Sequence, residues 1–256
     1  MVRTETGPID KPRSGPCDGF LVVDKPPGWT SYDVVEFIKK RFGIKKVGHG
    51  GTLDPIATGI LVLGLGKATR QLGLFIASDK TYRITLLLGV RTDTQDITGK
   101  AVRQQAIPAL SQEEFEKLLT EFRGEIVQIL PKYSAVKYKG RPYYYYTRKG
   151  MEIPVKTRKV FIHDIRVIKF NLPRVELKVS CATGAYMRTL CDSLGEKIGC
   201  GGTLEALVRT QCGSVNIADA LDVRSLKDRQ DLKTRLFWPR AVENVSRERV
   251  QKEVMV

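Results

Sequence analysis

The sequence has 256 residues, with 43 Lys and Arg against 28 Asp and Glu, for a formal net charge of +15. Hydrophobic residues make up 42% of it, which excludes wholesale disorder, and the longest apolar run (GILVLGLG, residues 59–66) is far short of the roughly 20 residues of a spanning helix. A positive excess of this size points to a polyanionic partner, most often nucleic acid.

Residues 1–18 are rich in Gly, Pro and charge, lack the apolar stretch of a signal peptide, and read as a flexible lead-in. GFLVVDK (19–25) reads as a short strand, stopped by Pro26, Pro27 and Gly28. A helix is predicted over 31–42. Thr30 and Asp33 form a T-x-x-D cap, Val34, Val35, Ile38 and Phe42 recur at helical spacing, and Gly43 suits its end. Next comes HGGTLDPIATG (49–59), which sets the lone carboxylate of Asp54 among glycines. Two readings are open there. Asp before Pro is a common helix start, or the glycines let a substrate approach the carboxylate.

A buried strand is predicted over 60–65, and another over 81–90 with Tyr82, Ile84, Leu86 and Leu88 on one face. Residues 111–122 carry an S-x-x-E capping box (Ser111, Glu114) and read as a helix with Gly124 behind it. Strands are predicted over 159–170 and 174–183, then a helix over 185–198. Mixed blocks of this kind indicate an α+β fold rather than a doubly wound sheet. GLGKAT (64–69) is not a P-loop, because Leu61 and Ala68 stand where that motif needs Gly and Ser or Thr.

The five cysteines (Cys17, Cys181, Cys191, Cys200, Cys212) include no C-x-x-C pair, and His49 and His163 are the only histidines, so no zinc site is expected. Scattered cysteines without an export signal fit a reducing, cytoplasmic setting. Residues 132–159 hold nine Lys or Arg, one acid (Glu152) and six of the nine tyrosines. Cations for phosphates beside aromatic faces for bases suit RNA contact, although part of the run from Tyr143 to Tyr146 must pack inward. In TGAYMRTL (183–190), packing accounts for Tyr186, but an Arg188 turned inward needs a carboxylate, for which Asp54 is a candidate.

Taken together, GFLVVDKPPGWTS, GHGGTLDPIATGILVLGLGKATR, KTYRITLLLGVRTDTQDITG, PKYSAVKYKGRPYY and CATGAYMRTL occur in the order and spacing of the TruB family of tRNA pseudouridine synthases, which the chain resembles over about 19–221. The continuation ATGILVLGLGKATR looks like TruB rather than the dyskerin-type guide-RNA synthases. The resemblance implies a pseudouridine synthase fold, a mixed and largely antiparallel sheet flanked by helices and loops. It also implies isomerisation of uridine 55 in the tRNA T-loop. Asp54 matches the catalytic aspartate, with attack on the base, attack on the sugar or proton abstraction all open to it. Tyr82 matches the tyrosine that stacks on the target base and acts in the final proton removal, and Arg188 the arginine that orients the carboxylate. His49 matches the residue filling the space of the flipped nucleotide, while Tyr186 and Leu207 match residues of the base pocket. No metal or organic cofactor is implied. The expected partner is the tRNA T-arm, with no membrane, and the expected state is a monomer. Gly50 and Leu130 depart from the usual family residues. After Leu221, residues 222–256 read as a short helical tail rather than a complete PUA domain, with Leu226, Leu232, Leu236, Phe237 and Trp238 able to dock on the body. The alternatives are a catalytically silent tRNA-binding module and a guide-RNA-dependent synthase.

Overall fold

The computed structural model describes residues 17–239, so residues 1–16 of the predicted lead-in and the tail from residue 240 lie outside the described residues. The last two lead-in residues are packed: Cys17 is buried, and Asp18 accepts a hydrogen bond from the Lys67 N–H at 2.9 Å. Strand β1 (Gly19–Lys25) explains its own unbroken apolar run. Phe20 and Val22 join one core and Leu21 and Val23 another, so both faces are covered. Helix α1 (Ser31–Phe42) has its predicted bounds. The Thr30 hydroxyl accepts from the Asp33 N–H at 3.1 Å, the Asp33 carboxylate accepts from the Thr30 N–H at 2.7 Å, and Gly43 closes the helix at φ 62°.

Strands β2 (Val47–His49) and β3 (Thr58–Leu65) pair antiparallel on either side of the loop that carries Asp54. A short helix α2 (Gly73–Ala77) leads to β4 (Lys80–Leu88), while β5 (Val90–Thr92) and β6 (Ala101–Gln104) form a separate ribbon. Helix α3 (Gln112–Leu119) begins at its capping box but tightens into a 3-10 turn over Thr120–Phe122, before β7 (Gly124–Ile129). A small hairpin, β8 (Lys137–Tyr138) and β9 (Arg141–Pro142), runs into α4 (Tyr143–Arg148). Strands β10 (Thr157–Asn171) and β11 (Arg174–Cys181) match the predicted pair, and α5 (Met187–Ile198) starts two residues later than expected. Then come β12 (Gly202–Cys212), β13 (Val215–Asn216), β14 (Leu221–Asp222) and α6 (Arg229–Thr234).

The main sheet runs β14-β1-β3-β12-β4-β11-β10-β7, with β2 on β3 and β13 on β12. Only β1–β14 and β3–β12 are parallel among the described pairs, so the sheet is mixed and mainly antiparallel, and the fold is α+β. The larger core lies under α1, α3 and α5, and the smaller one, around Phe20, Ile60 and Phe75, under α2. Strand β12 was not anticipated, although it is central. Two register shifts against β4 break its alternation, and it is paired on both sides. Its approach to β3 is very close: a Cβ on Gly59 (φ +91°) would lie 2.3 Å from the Arg209 carbonyl oxygen. No helix among the described residues is long and apolar enough to cross a membrane.

From 222 to 239 the chain contributes one short helix, and Leu226, Leu232 and Leu236 are buried in the larger core. Leu232→Ala therefore lowers unfolding free energy by about 2–5 kcal/mol, read from the denaturant midpoint. A change below about 0.5 kcal/mol would show that this stretch is not part of the core.

Candidate active site

The Asp54 loop is tied down at both ends and in its middle. Ser31 at the start of α1 uses its hydroxyl to accept from the Leu53 N–H (2.9 Å) and donate to the Leu53 carbonyl (3.3 Å). Lys25 at the end of β1 is buried and donates to the carbonyls of Pro26 and Pro55 at 2.9 and 3.2 Å, while the Gly28 N–H also reaches the Pro55 carbonyl at 2.9 Å. Burial pushes the Lys25 ammonium down to about 8, and the nearby negative charge of Asp54 opposes that shift. Asp54 and Pro55 do not start a helix. The Ala57 N–H closes a turn on the Asp54 carbonyl at 3.0 Å, and the chain enters β3 directly. The capping role being absent, the carboxylate is available to the cleft.

Asp54 meets Arg188. The guanidinium grips both carboxylate oxygens, Nε to Oδ2 at 2.8 Å and Nη2 to Oδ1 at 3.2 Å, with the arginine side chain 4% exposed and the carboxylate 35%. The remaining donors are used as well: Nη1 to the Thr94 carbonyl at 3.2 Å and Nη2 to the Tyr133 carbonyl at 2.9 Å. A planar fork that satisfies four acceptors leaves the carboxylate in one orientation.

The other anticipated residues make no hydrogen bond or ion pair to this pair among the described residues, and are placed by their own elements. Tyr82 on β4 lies in register with Arg209, and Ile84 with Leu207, so Tyr82, Leu207 and Arg209 share one sheet face. Burial pushes the Tyr82 phenol up to about 12, with Arg209 acting against that shift. His49 ends β2 and is half-buried. Among the described residues its Nδ1 has no hydrogen-bond partner, and burial, then Arg209, hold its imidazole below the usual range. Tyr186 is the residue before α5. Among the described residues, no hydrogen bond joins Asp54 to Tyr82, His49 or Tyr186.

Several residues that the sequence did not disclose complete the site. Asp96, in the β5–β6 loop, stands 3.9 Å from Arg188 Nε, with Oδ1 occupied by the Thr94 hydroxyl at 2.8 Å, the Thr98 N–H at 3.0 Å and the Thr98 hydroxyl. The TDTQDIT run lies in one of the motifs that carry the resemblance and is rich in hydroxyls and carboxylates, but neither fact singles out Asp96. Gln128 on β7 is buried and clamps Tyr186 through its amide, accepting from the Tyr186 N–H at 2.9 Å and donating to its carbonyl at 3.1 Å. Arg209 is 1% exposed and donates to the carbonyls of Ile60 (2.7 Å) and Gly51 (3.2 Å), spanning the two ends of the Asp54 loop. Among the described residues, no three His, Cys, Asp or Glu side chains gather as metal ligands.

The basic stretch 132–159 folds beside this cleft, tied to Arg188 through Tyr133. Tyr143 is the inward-facing tyrosine, its hydroxyl on the Pro154 carbonyl at 3.1 Å. Tyr144 and Tyr145 instead carry cations over their rings: Arg148 5.4 Å from the Tyr144 centroid, Arg141 and Lys149 at 5.2 and 4.7 Å from that of Tyr145. GILVLGLGKATR is a buried strand followed by a 3-10 turn (Gly66–Gln71), not a phosphate loop.

Two family models match the chain: TruB family pseudouridylate synthase (N-terminal domain) over residues 39–187, and tRNA pseudouridylate synthase B C-terminal domain over 188–237. Their boundary falls inside α5, and the sheet continues across it through β12. A tRNA pseudouridine synthase B of Clostridium tetani is 43% identical over 211 residues, covering 82% of this chain and 73% of that protein. One of Syntrophus aciditrophicus is 42% identical over 219 residues, 86% of this chain and 70% of its own. Among solved structures, a chain of a Cbf5–Nop10–Gar1 complex is 29% identical with a TM-score of 0.65, over 82% of this chain and 54% of that one. A chain of an H/ACA RNP bound to a substrate RNA containing 2′-deoxyuridine is 27% identical with a TM-score of 0.62, over 81% and 52%. The chain thus spans about half the length of these structural neighbours.

Proposed function

The chain belongs to the TruB family of pseudouridylate synthases, and on that premise we propose that it converts uridine 55 of the tRNA T-loop to pseudouridine, with Asp54 as the reacting carboxylate. The observation that carries this reading is the bidentate Asp54–Arg188 pair. It fixes a partly exposed carboxylate in one orientation, and on this reading Tyr82, Leu207 and Tyr186 form the base pocket beside it. The relatives named tRNA pseudouridine synthase B support tRNA as substrate.

The chemistry asks for little more. Isomerisation breaks the bond from C1′ to N1, keeps the base, and rejoins it through C5. A carboxylate serves as nucleophile or base for that. Glycoside hydrolysis would need a second free carboxylate and a water between the two. Here the nearby Asp96 has one oxygen held by three threonine donors and turns the other toward Arg188 at 3.9 Å, which suits it to support the arginine. The target uridine has to leave its stack to reach Asp54. Tyr82 then stacks on it. A phenol held at about 12 stays protonated near neutral pH, which suits stacking and hydrogen-bond donation more than removal of a proton. His49, kept neutral by burial, fills the space the nucleotide leaves, and Tyr186 and Leu207 line the base pocket.

RNA contact is assigned to the cleft and to the basic, tyrosine-bearing stretch 132–159 of the 19–221 catalytic body. An isolated T-arm hairpin with its loop prefolded is then modified with kcat/KM within about tenfold of whole tRNA, about 1.4 kcal/mol. Affinity falls steeply with salt, because phosphate contacts dominate it. The test uses the purified chain, unmodified tRNA and no guide RNA, with pseudouridine mapped by position. No product, or product elsewhere than position 55, overturns the reading, and product only with added guide RNA supports the dyskerin-like alternative. A hairpin that reacts about a thousandfold worse than tRNA overturns the assignment of RNA contact.

A further inference from the structure

We infer that Arg209 holds an uncompensated positive charge beneath the base pocket and stabilises the negative charge that the uracil carries between leaving C1′ and rejoining it; this rests on the pseudouridine synthase reading above. Burying a guanidinium is costly unless a carboxylate pairs with it. Arg188 has Asp54 and Asp96. Arg209 is 1% exposed, yet among the described residues it has no carboxylate within ion-pair distance; its partners are the Ile60 and Gly51 carbonyls and the neutral Tyr82 phenol, none of which carries a charge. Its place in the fold is specific. It is the cross-strand neighbour of Tyr82, two residues beyond Leu207 on the same face, and opposite Gly59 on β3, where no side chain intrudes. Its charge bears on Tyr82, His49 and Lys25, from three different elements around the cleft. A buried cation lacking an acid, set under a pocket, is matched by an anion that appears only during the reaction.

The reaction supplies that anion. When the C1′–N1 bond breaks, its electron pair leaves with the base. The electron deficit left on the sugar is met by Asp54, which bonds to C1′ or takes a sugar proton, and the uracil becomes an anion delocalised over N1, O2 and O4. Rotation brings C5 to C1′, and a pair from the ring forms the C1′–C5 bond. The C5 proton then passes to a base in the site, and N1 ends the sequence protonated. The ring is negative from the first bond change to the second, and Arg209 acts during that interval.

A merely structural role, bracing the loop at Gly51 and Ile60, predicts a different outcome from this one. The probes are T-arm hairpins with uridine or 5-fluorouridine at the target position, followed in single turnovers as loss of the original nucleoside. Fluorine blocks the final C5 deprotonation, so both substrates report the earlier steps. Fluorine also stabilises the base anion by itself, so a variant lacking the charge is penalised less on it. Arg209→Gln slows uridine loss about 100-fold, slows 5-fluorouridine loss no more than about tenfold, and leaves hairpin affinity within about threefold. Arg209→Lys, which keeps the charge, falls between wild type and Gln on uridine. Equal losses on both substrates, or a Gln variant within about threefold of wild type on uridine, overturn the inference. If neither variant keeps a native melting transition, the wild-type enzyme decides the matter. Bound to a hairpin abasic at the target position, it should hold free 5-fluorouracil more tightly as pH rises through that ligand's own ionisation. Flat or weaker binding overturns the inference. Should the wild-type enzyme form no pseudouridine in the uridine hairpin, the parent reading fails instead, and the two failures are told apart.

Discussion

Asp54→Asn abolishes turnover, with kcat lowered at least about 10⁴-fold while tRNA affinity stays within about threefold. The substitution keeps the shape of the side chain and one oxygen facing Arg188. It removes the charge that a nucleophile or base requires. Arg188 still has the Thr94 and Tyr133 carbonyls and the Asp96 carboxylate at 3.9 Å, so the cleft keeps its form. Asp54 is also 35% exposed, which limits the stability lost with its charge. Pseudouridine per tRNA, from nucleoside mass spectrometry after long incubation, is the measurement. Product above the level of contaminating enzyme would remove Asp54 from its assigned role.

Arg188→Lys lowers kcat at least about 100-fold, with a much smaller effect on KM. Charge is conserved, so any loss measures geometry. The guanidinium reaches both Asp54 oxygens, the Thr94 carbonyl on one side and the Tyr133 carbonyl on the other. An ammonium donates from a single point and cannot span them, so the carboxylate becomes free to rotate and two half-buried carbonyls lose their donor. Steady-state kinetics with the T-arm hairpin read the effect. Turnover near wild type would mean that the orientation of Asp54 is set elsewhere, with the Ser31 and Lys25 contacts of its loop as the remaining anchors.

What the sequence disclosed was mostly local. The limits of α1 follow from a capping box and a glycine within 14 residues of one another, and the structure has both. Strand β1 was readable because a seven-residue stretch with four apolar residues in a row, ending at breakers, is too short for a helix. Arg188 stood out because an inward arginine needs an acid, and Asp54 proved to be that acid, 134 residues away. What stayed hidden depends on contacts that leave no local pattern. Gln128 is an ordinary glutamine until β7 is laid beside the start of α5. Arg209 was passed over together with its strand: two bulges blur the alternation of β12, and an arginine held by backbone carbonyls has no partner to be found in a sequence. Asp54 itself was ambiguous for the same reason, because Asp before Pro starts helices as readily as it makes this turn.

The stretch from residue 221 onward does more than fill the core. Without it, β1 would be the bare outer strand of the main sheet, its free backbone N–H and C=O groups open to any other strand. Two short additions close that edge. Leu221 and Asp222 lie parallel to Val23 and Asp24, and Phe237 exchanges backbone hydrogen bonds with Phe20 at 2.8 and 2.9 Å, its ring 5.9 Å from that of Phe20. An uncovered sheet edge is a template for aggregation. The contribution of these residues is therefore colloidal as well as energetic: they keep one molecule from adding itself, strand upon strand, to the next.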